Sequence, residues 1–300
     1  MNSAPLYRAP NTGPYCSTDR SAALRERRFQ MAYEDRVEPR EYAALAEEAT
    51  QIFLDHEPED RSMARAMALR HVAMNCPLTL EPGNVLIGGE DPFFFNLLLP
   101  ALQADQHSKI GQIAPNSVSE NLREAGVYLA SCFDGHITPG LDRIIERGVT
   151  NIRAEIEAQM AEPVDEATSD VGQKQFYEAA LISCDSVTLY AERLRLAAEN
   201  LAETLSDTET AAEMRQAAAV LANVPLQPAQ TFHEALQAYW IVYCLVTLEM
   251  GGCCPGGGLG LGRLDQFLYP YYQRDIENRT IIRSQALELM EIFLLQFRHV

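Results

Sequence analysis

Ala235-Leu236-Gln237-Ala238-Tyr239-Trp240-Ile241-Val242-Tyr243-Cys244-Leu245-Val246-Thr247-Leu248-Glu249-Met250 runs straight into Gly251-Gly252-Cys253-Cys254-Pro255-Gly256-Gly257-Gly258-Leu259-Gly260-Leu261-Gly262. This stretch decides how the chain is read. From Ala238 to Leu248 it is apolar almost all round, which predicts a helix buried on every side. It falls short of the roughly 20 residues that cross a bilayer, and it carries Gln237, so a membrane span is not expected. The glycine cluster cannot continue a helix and predicts an irregular loop over 251–262. Upstream, Thr231 is placed to cap the helix, with Glu234 three residues on completing a capping box. His233 sits inside that cap and reads as structural.

Working outward, helical patterns dominate. Asp207–Ala222 forms a helix stopped by Asn223-Val224-Pro225. From about Gly172 to Leu205, Phe176, Ala180, Cys184, Val187, Ala191, Leu194, Ala198, Leu201 and Leu205 recur at steps of three and four. That stripe predicts a helix roughly 50 Å long, an element of a large helical assembly. Leu141 to about Met160 is helical, and the acidic stretch Glu162–Asp170 is a loop. Arg40–Phe53 and Pro58–Met74 are amphipathic helices. Asn84-Val85-Leu86-Ile87-Gly88-Gly89 is a short apolar run bounded by turn residues, which predicts a buried strand. Helical signals resume over Leu264–Arg274 and from Ser284 onward. Residues 1–20, rich in Pro, Ser, Asn and Thr, read as a flexible tail. The fold class is mainly α with few strands.

Composition narrows the function. Against 42 acidic residues stand 24 basic ones, a formal net charge of -18. Phosphate backbones and anionic membranes are bound by clustered Lys and Arg, so neither is an expected partner. No leader pattern opens the chain, and a cytoplasmic protein is expected. Seven cysteines, Cys16, Cys76, Cys132, Cys184, Cys244, Cys253 and Cys254, follow no framework spacing and contain no CxxC pair. Reduced thiols are expected, and neither a disulfide scaffold nor a metal site.

Two places could carry chemistry. His136 lies in Cys132-Phe133-Asp134-Gly135-His136-Ile137-Thr138-Pro139-Gly140-Leu141-Asp142, a Gly/Pro-bounded loop just before a helix. There it is either a polar contact or proton shuttle, or a loop histidine that caps and fills space. Asp134 and Asp142 flank it, and Asp142 equally suits a helix start. The Gly251–Gly262 tract exposes backbone but lacks the Gly-Lys-Ser/Thr ending of a phosphate loop. Arg263 and Asp265 are spaced to form an ion pair fixing this loop to the next helix. His56, His71 and His107 show no partner spacing.

Four segments, in order, carry a resemblance: Gly135-His136-Ile137-Thr138-Pro139; Gln175-Phe176-Tyr177-Glu178-Ala179-Ala180; Pro228-Ala229-Gln230-Thr231-Phe232-His233-Glu234-Ala235-Leu236-Gln237; and Gly262-Arg263-Leu264-Asp265-Gln266-Phe267-Leu268-Tyr269-Pro270-Tyr271-Tyr272. The chain resembles the glycyl radical enzymes, in the branch of pyruvate formate-lyase-like proteins, glycerol dehydratase and choline trimethylamine-lyase. The resemblance implies a ten-stranded α/β barrel wrapped in helices, of which residues 21–300 supply an incomplete N-terminal part. It implies thiyl-radical chemistry driven by a backbone glycyl radical, which a separate S-adenosylmethionine iron–sulfur activase installs and oxygen destroys. A homodimer, anaerobic metabolism and a small-molecule substrate are implied as well.

The resemblance also fixes what each residue is expected to do. Neither a Gly-x-x-Cys-x-Glu loop nor an Arg-Val-x-Gly-Tyr loop occurs in the 300 residues, so no catalytic residue and no bound cofactor are assigned to this chain. His136 matches a motif histidine that contacts substrate in glycerol-dehydratase-like members. Cys253 stands where those members carry a second substrate histidine, four positions beyond a glutamate, here Glu249. His136 and Cys253 are therefore the expected substrate-binding positions, and the cysteine argues against a diol substrate. The expected function is an N-terminal portion of a radical lyase or dehydratase, inactive alone. An accessory or binding subunit of a split enzyme and an unrelated helical structural protein are the alternatives.

Overall fold

The computed structural model describes residues 16–31, 40–56, 60–78, 80–88, 138–162, 171–249 and 260–297. Helices α1 (Asp19–Met31), α2 (Arg40–His56), α3 (Arg61–Asn75), α4 (Asp142–Ala161), α5 (Val171–Thr204), α6 (Thr208–Asn223), α7 (Phe232–Glu249), α8 (Leu264–Phe267), α9 (Tyr269–Glu277) and α10 (Arg283–Gln296) follow in order. No strand occurs among the described residues. The chain is helical from Asp19, two residues earlier than composition suggests. Thr18 and Ser21 hydroxyls donate to Glu288 and Glu291 of α10, which pins the start of α1.

The centre is α7, which touches α3, α4, α5, α6, α9 and α10. Ala235, Leu236, Ala238, Trp240, Ile241 and Cys244 are wholly buried, so the apolar circumference read from the sequence is the core. At roughly 1.5–3 kcal/mol for each large side chain taken from water, this one helix anchors the assembly. Its start is capped as expected: Glu234 N–H donates to Thr231 Oγ1 (3.1 Å), and Thr231 N–H donates to Glu234 Oε2 (3.2 Å). A third partner was not legible. Phe232 N–H donates to Asp275 Oδ2 of α9 at 2.7 Å, placing a buried carboxylate at the positive end of the helix. Tyr239, Trp240 and Tyr243 meet Phe293 and Phe297 edge to face at 4.8–5.5 Å, locking α10 along α7.

The long helix α5 packs on α3 and α6. Its buried stripe is Ala179, Ser186, Tyr190, Ala191, Leu194, Ala198 and Ala202. This agrees with the sequence stripe at Ala191, Leu194 and Ala198 and departs from it at both ends, where Leu201 and Leu205 are only half-buried and Phe176 is 59% exposed. Arg193 reaches from α5 to the end of α3 and donates to Ala73 O (2.8 Å) and Cys76 O (2.6 Å), satisfying carbonyls that the helix leaves open.

Two findings correct the sequence reading. First, α4 turns at Gly148, whose φ of 69° is left-handed. The N–H groups released there donate to the 225–226 loop, Val149 to Pro225 O (2.9 Å) and Thr150 to Leu226 O (3.0 Å). Second, Asn84–Gly88 is buried, as expected, but pairs with no strand among the described residues. Side chains take the place of a neighbouring strand. Val85 O accepts from His233, Leu86 O from Gln296, Ile87 O from Gln237 and Gly88 O from Trp240. With these carbonyls engaged, the segment has no need of a ladder partner.

Candidate functional site

Gly262 and Thr138 come together. A Cβ built on Gly262, whose φ is 72°, would lie 3.5 Å from Thr138 Cγ2 and 3.5 Å from Phe267 Cε1. The left-handed backbone suits glycine, and the tract that follows α7 is thereby turned onto the lead-in to α4. Tyr239 Oη donates to Leu261 O at 3.0 Å, and its ring stacks on Phe267 at 6.0 Å. Burial pushes the Tyr239 hydroxyl well above the ordinary phenol value, so it stays a donor. Two motif segments far apart in sequence thus meet on one side of the central helix.

The second wall is the clamped segment. Gly88 has φ 118°, and a Cβ there would lie 3.1 Å from Ile241 Cδ1 and 3.3 Å from Leu194 Cδ1. Only glycine lets this backbone lie against α7 and α5. Trp240 Nε1 donates to Gly88 O at 2.5 Å. His233 Nε2 lies 2.8 Å from Val85 O, so that nitrogen carries the proton. Burial lowers the His233 pKa, with the Val85 carbonyl and Glu234 opposing the shift.

Beside His233 opens a cleft of about 620 Å³ between α1, α6, α7 and α10. Its wall carries Glu209, Glu213, Glu234, Asp275 and Glu288. Arg20 on the same wall is engaged by Glu213 and Glu288. No group of three metal-ligating side chains occurs among the described residues.

Of the residues expected to contact substrate, His136 and Cys253 lie outside the described residues, as do Asp134 and His107. His136 is two positions before Thr138 in the sequence. Asp142 lies in the first turn of α4. Arg263 and Asp265 form the expected pair, bidentate at 3.0 and 2.8 Å, and the guanidinium holds the Asp265 carboxyl below its usual range. Both side chains are about two thirds exposed (67% and 66%), so the pair contributes little to stability. His71 does have a partner, Glu48 Oε2 at 2.8 Å. His56 Nδ1 is 2.8 Å from Ile52 O at the end of α2. Cys76 and Cys184 are not in disulfides, and burial pushes both thiols up. No described helix is long and apolar enough to cross a membrane.

Residues 108–300 match the sequence model described as pyruvate formate lyase-like. An isethionate sulfite-lyase of Desulfovibrio desulfuricans is 34% identical over 152 residues, 50% of this chain and 18% of that protein. A trans-4-hydroxy-L-proline dehydratase of Clostridioides difficile is 32% identical over 180 residues, 59% of this chain and 22% of that protein. The crystal structure of the Clostridioides difficile hydroxyproline dehydratase superimposes with a TM-score of 0.75 at 23% identity, covering 94% of this chain and 40% of that one. The glycerol-bound, B12-independent glycerol dehydratase of Clostridium butyricum gives 0.72 at 20% identity, covering 97% of this chain and 41% of that one. The fold is therefore that of these proteins, and the chain spans about two fifths of their length. With the match extending over both motif segments that meet at Thr138 and Gly262, the chain belongs to the pyruvate formate lyase-like family of glycyl radical enzymes.

Proposed function

We propose that the chain is the N-terminal part of a glycyl radical lyase or dehydratase that cleaves a C–O, C–N or C–C bond of a small polar molecule. The observation that carries this reading is the family match over 108–300, which takes in the histidine motif and the glycine tract together. In the proposal, the radical chemistry is supplied by the two loops absent from these 300 residues, after activation by an S-adenosylmethionine iron–sulfur enzyme. The complete protein is a cytoplasmic homodimer. This chain supplies the wall of the substrate pocket, with His136 as the hydrogen-bonding contact and Cys253 facing the same substrate. A thiol accepts and donates hydrogen bonds weakly, so a substrate that is not held through a pair of hydroxyls, as a diol would be, suits the pair better.

The test is to produce the complete reading frame, with any adjacent frame carrying the two loops, together with the activase and without oxygen. A glycyl radical signal in electron paramagnetic resonance, followed by turnover of a small hydroxylated or sulfonated substrate, is the expected result. No radical after activation of a polypeptide carrying both loops overturns the reading. A second reading is a non-catalytic accessory or binding subunit of a split enzyme whose two loops lie on another polypeptide. It predicts a separate partner chain that carries them.

A further inference from the structure

Helix α1 is basic in an acidic protein. Arg20, Arg25, Arg27 and Arg28 stand against Asp19 and Glu26, a net charge of +2 in a chain whose total is -18. Carboxylates of three other segments hold it. Arg20 pairs with Glu213 of α6 and, at 3.6 Å, with Glu288 of α10. Arg27 meets Glu81 at 2.5 Å. Glu291 accepts from the Ser17 N–H (2.9 Å) and the Ser21 hydroxyl (2.7 Å), and Glu288 accepts from the Thr18 hydroxyl (2.6 Å). Apolar anchoring is slight by comparison. Between Asp19 and Arg27, Leu24 is the one buried hydrophobic side chain, whereas α6 buries Ala211, Met214, Ala217, Ala218 and Leu221. Arg20 also borders the cleft of about 620 Å³, so that part of α1 lies over open space, not over packed side chains.

We propose that α1 is a strap held over the acidic cleft by charge, and that it lifts as a unit while the other helices stay folded. Regions with few buried apolar contacts open at a lower free energy than the whole molecule, and α1 has the fewest ties of that kind to lose. Lifting it withdraws Arg20 from the cleft and opens to solvent the wall that carries His233 and Val85. Salt then acts on the strap and on the body in opposite directions. Arg20, Glu213 and Glu288 keep 31%, 19% and 19% of their side-chain surface in solvent, so dissolved ions weaken the attraction that holds α1 down. The same ions screen the self-repulsion of a chain of net charge -18, which favours the folded body. A helix held by apolar packing would show no such split.

The experiment is native-state hydrogen exchange of the full chain, read by mass spectrometry at neutral pH and normalised to an unstructured peptide in the same buffer. When NaCl is raised from about 0.05 M to about 0.5 M, exchange in the α1 peptide should quicken by about threefold or more. Peptides from α6 and α10 should hold or slow, and the thermal midpoint should hold or rise. Arg20→Gln removes the charge that reaches both α6 and α10. It should speed α1 exchange by about fivefold or more at low salt and blunt the further effect of salt, with α6 and α10 unchanged. Arg215→Gln, at an exposed arginine of α6, is the control for an equal change in net charge and should leave α1 exchange as it was. Exchange of α1 at the same rate as α6 and α10, or unmoved by salt, overturns the proposal. So does loss of the whole fold in Arg20→Gln, since a strap that lifts must leave the body standing.

Discussion

Gln237 holds Ile87 by both of its backbone polar groups: its Oε1 accepts from Ile87 N–H at 2.8 Å, and its Nε2 donates to Ile87 C=O at 2.7 Å. One side-chain amide does what a residue on a neighbouring strand would do. It explains why a glutamine sits fully buried in an otherwise apolar helix. It also explains how a strand-like segment can be buried among helices with no strand partner among the described residues. Gln296 repeats the device one residue earlier, donating to Leu86 O at 2.8 Å.

Gln237→Leu keeps the volume and removes both bonds. Two buried backbone groups would then lack partners, at about 1–3 kcal/mol each. Urea unfolding should show a loss of about 2–5 kcal/mol, with faster amide exchange at Ile87. A change under about 0.5 kcal/mol would mean the segment is held by packing alone.

His233 gives the same clamp a pH dependence. Its folded pKa lies below the ordinary value of 6.5, because burial disfavours the charged ring. The unfolded chain therefore takes up this proton first as pH falls, so stability is full above about pH 6.5 and declines below it. His233 lines the cleft together with Glu234 of its own helix and with Glu209, Glu213, Asp275, Glu288 and Arg20. Unfolding midpoints measured from pH 7.5 to 5.5 should fall for the wild type and stay flatter for His233→Gln, whose amide can still donate to Val85 O. Parallel slopes in the two proteins would remove His233 from the account.

Much of the architecture was legible because helix periodicity and capping are local. Thr231, Glu234 and the apolar circumference of α7 are read within one stretch, and the Arg263–Asp265 pair within three residues. What was not legible is what depends on distant partners. The run Asn84–Gly88 has the composition of a strand, and nothing local says that its carbonyls will be met by side chains some 150 positions away. A glutamine in the apolar helix was the available signal: a buried glutamine needs partners, and an apolar run with free backbone needs donors. Gly148 was hidden for a similar reason. Its left-handed turn is dictated by the 225–227 loop lying against it, a contact that periodicity does not encode. The expected substrate contacts, His136 and Cys253, rest on the resemblance alone, since a histidine in a Gly/Pro-bounded loop has no periodicity at all, and both lie outside the described residues.

Gly148→Ala should be severe. The new Cβ would lie 2.5 Å from Leu226 O and 2.5 Å from the Gln227 carbonyl carbon, both backbone atoms that cannot swing away. A left-handed alanine costs about 1–2 kcal/mol, and overpacking adds about 1–3 kcal/mol. The thermal midpoint should drop by several degrees or more, in line with a total loss of about 2–5 kcal/mol. Gly140→Ala, where the added carbon meets only side-chain atoms at 3.5 Å or more, is the matched control and should be nearly silent. Equal effects at the two positions would show that the turn in α4 yields easily.

The last prediction concerns His136. Thr138, two positions on, packs against Gly262 at the end of the glycine tract. If His136 orients substrate by a hydrogen bond that strengthens as charge develops, its loss costs about 2–4 kcal/mol of transition-state stabilisation. That is a fall of roughly 30- to 1,000-fold in kcat/KM. The measurement uses the complete, radical-activated protein, with radical yield by electron paramagnetic resonance and thermal midpoint recorded alongside. His136→Ala should lower turnover while both other readouts hold, and His136→Gln, which keeps a donor, should recover part of it. Loss of turnover together with a lower midpoint would assign His136 to loop structure. Unchanged turnover would leave the glycine tract, and Cys253 within it, as the remaining place where this chain meets substrate.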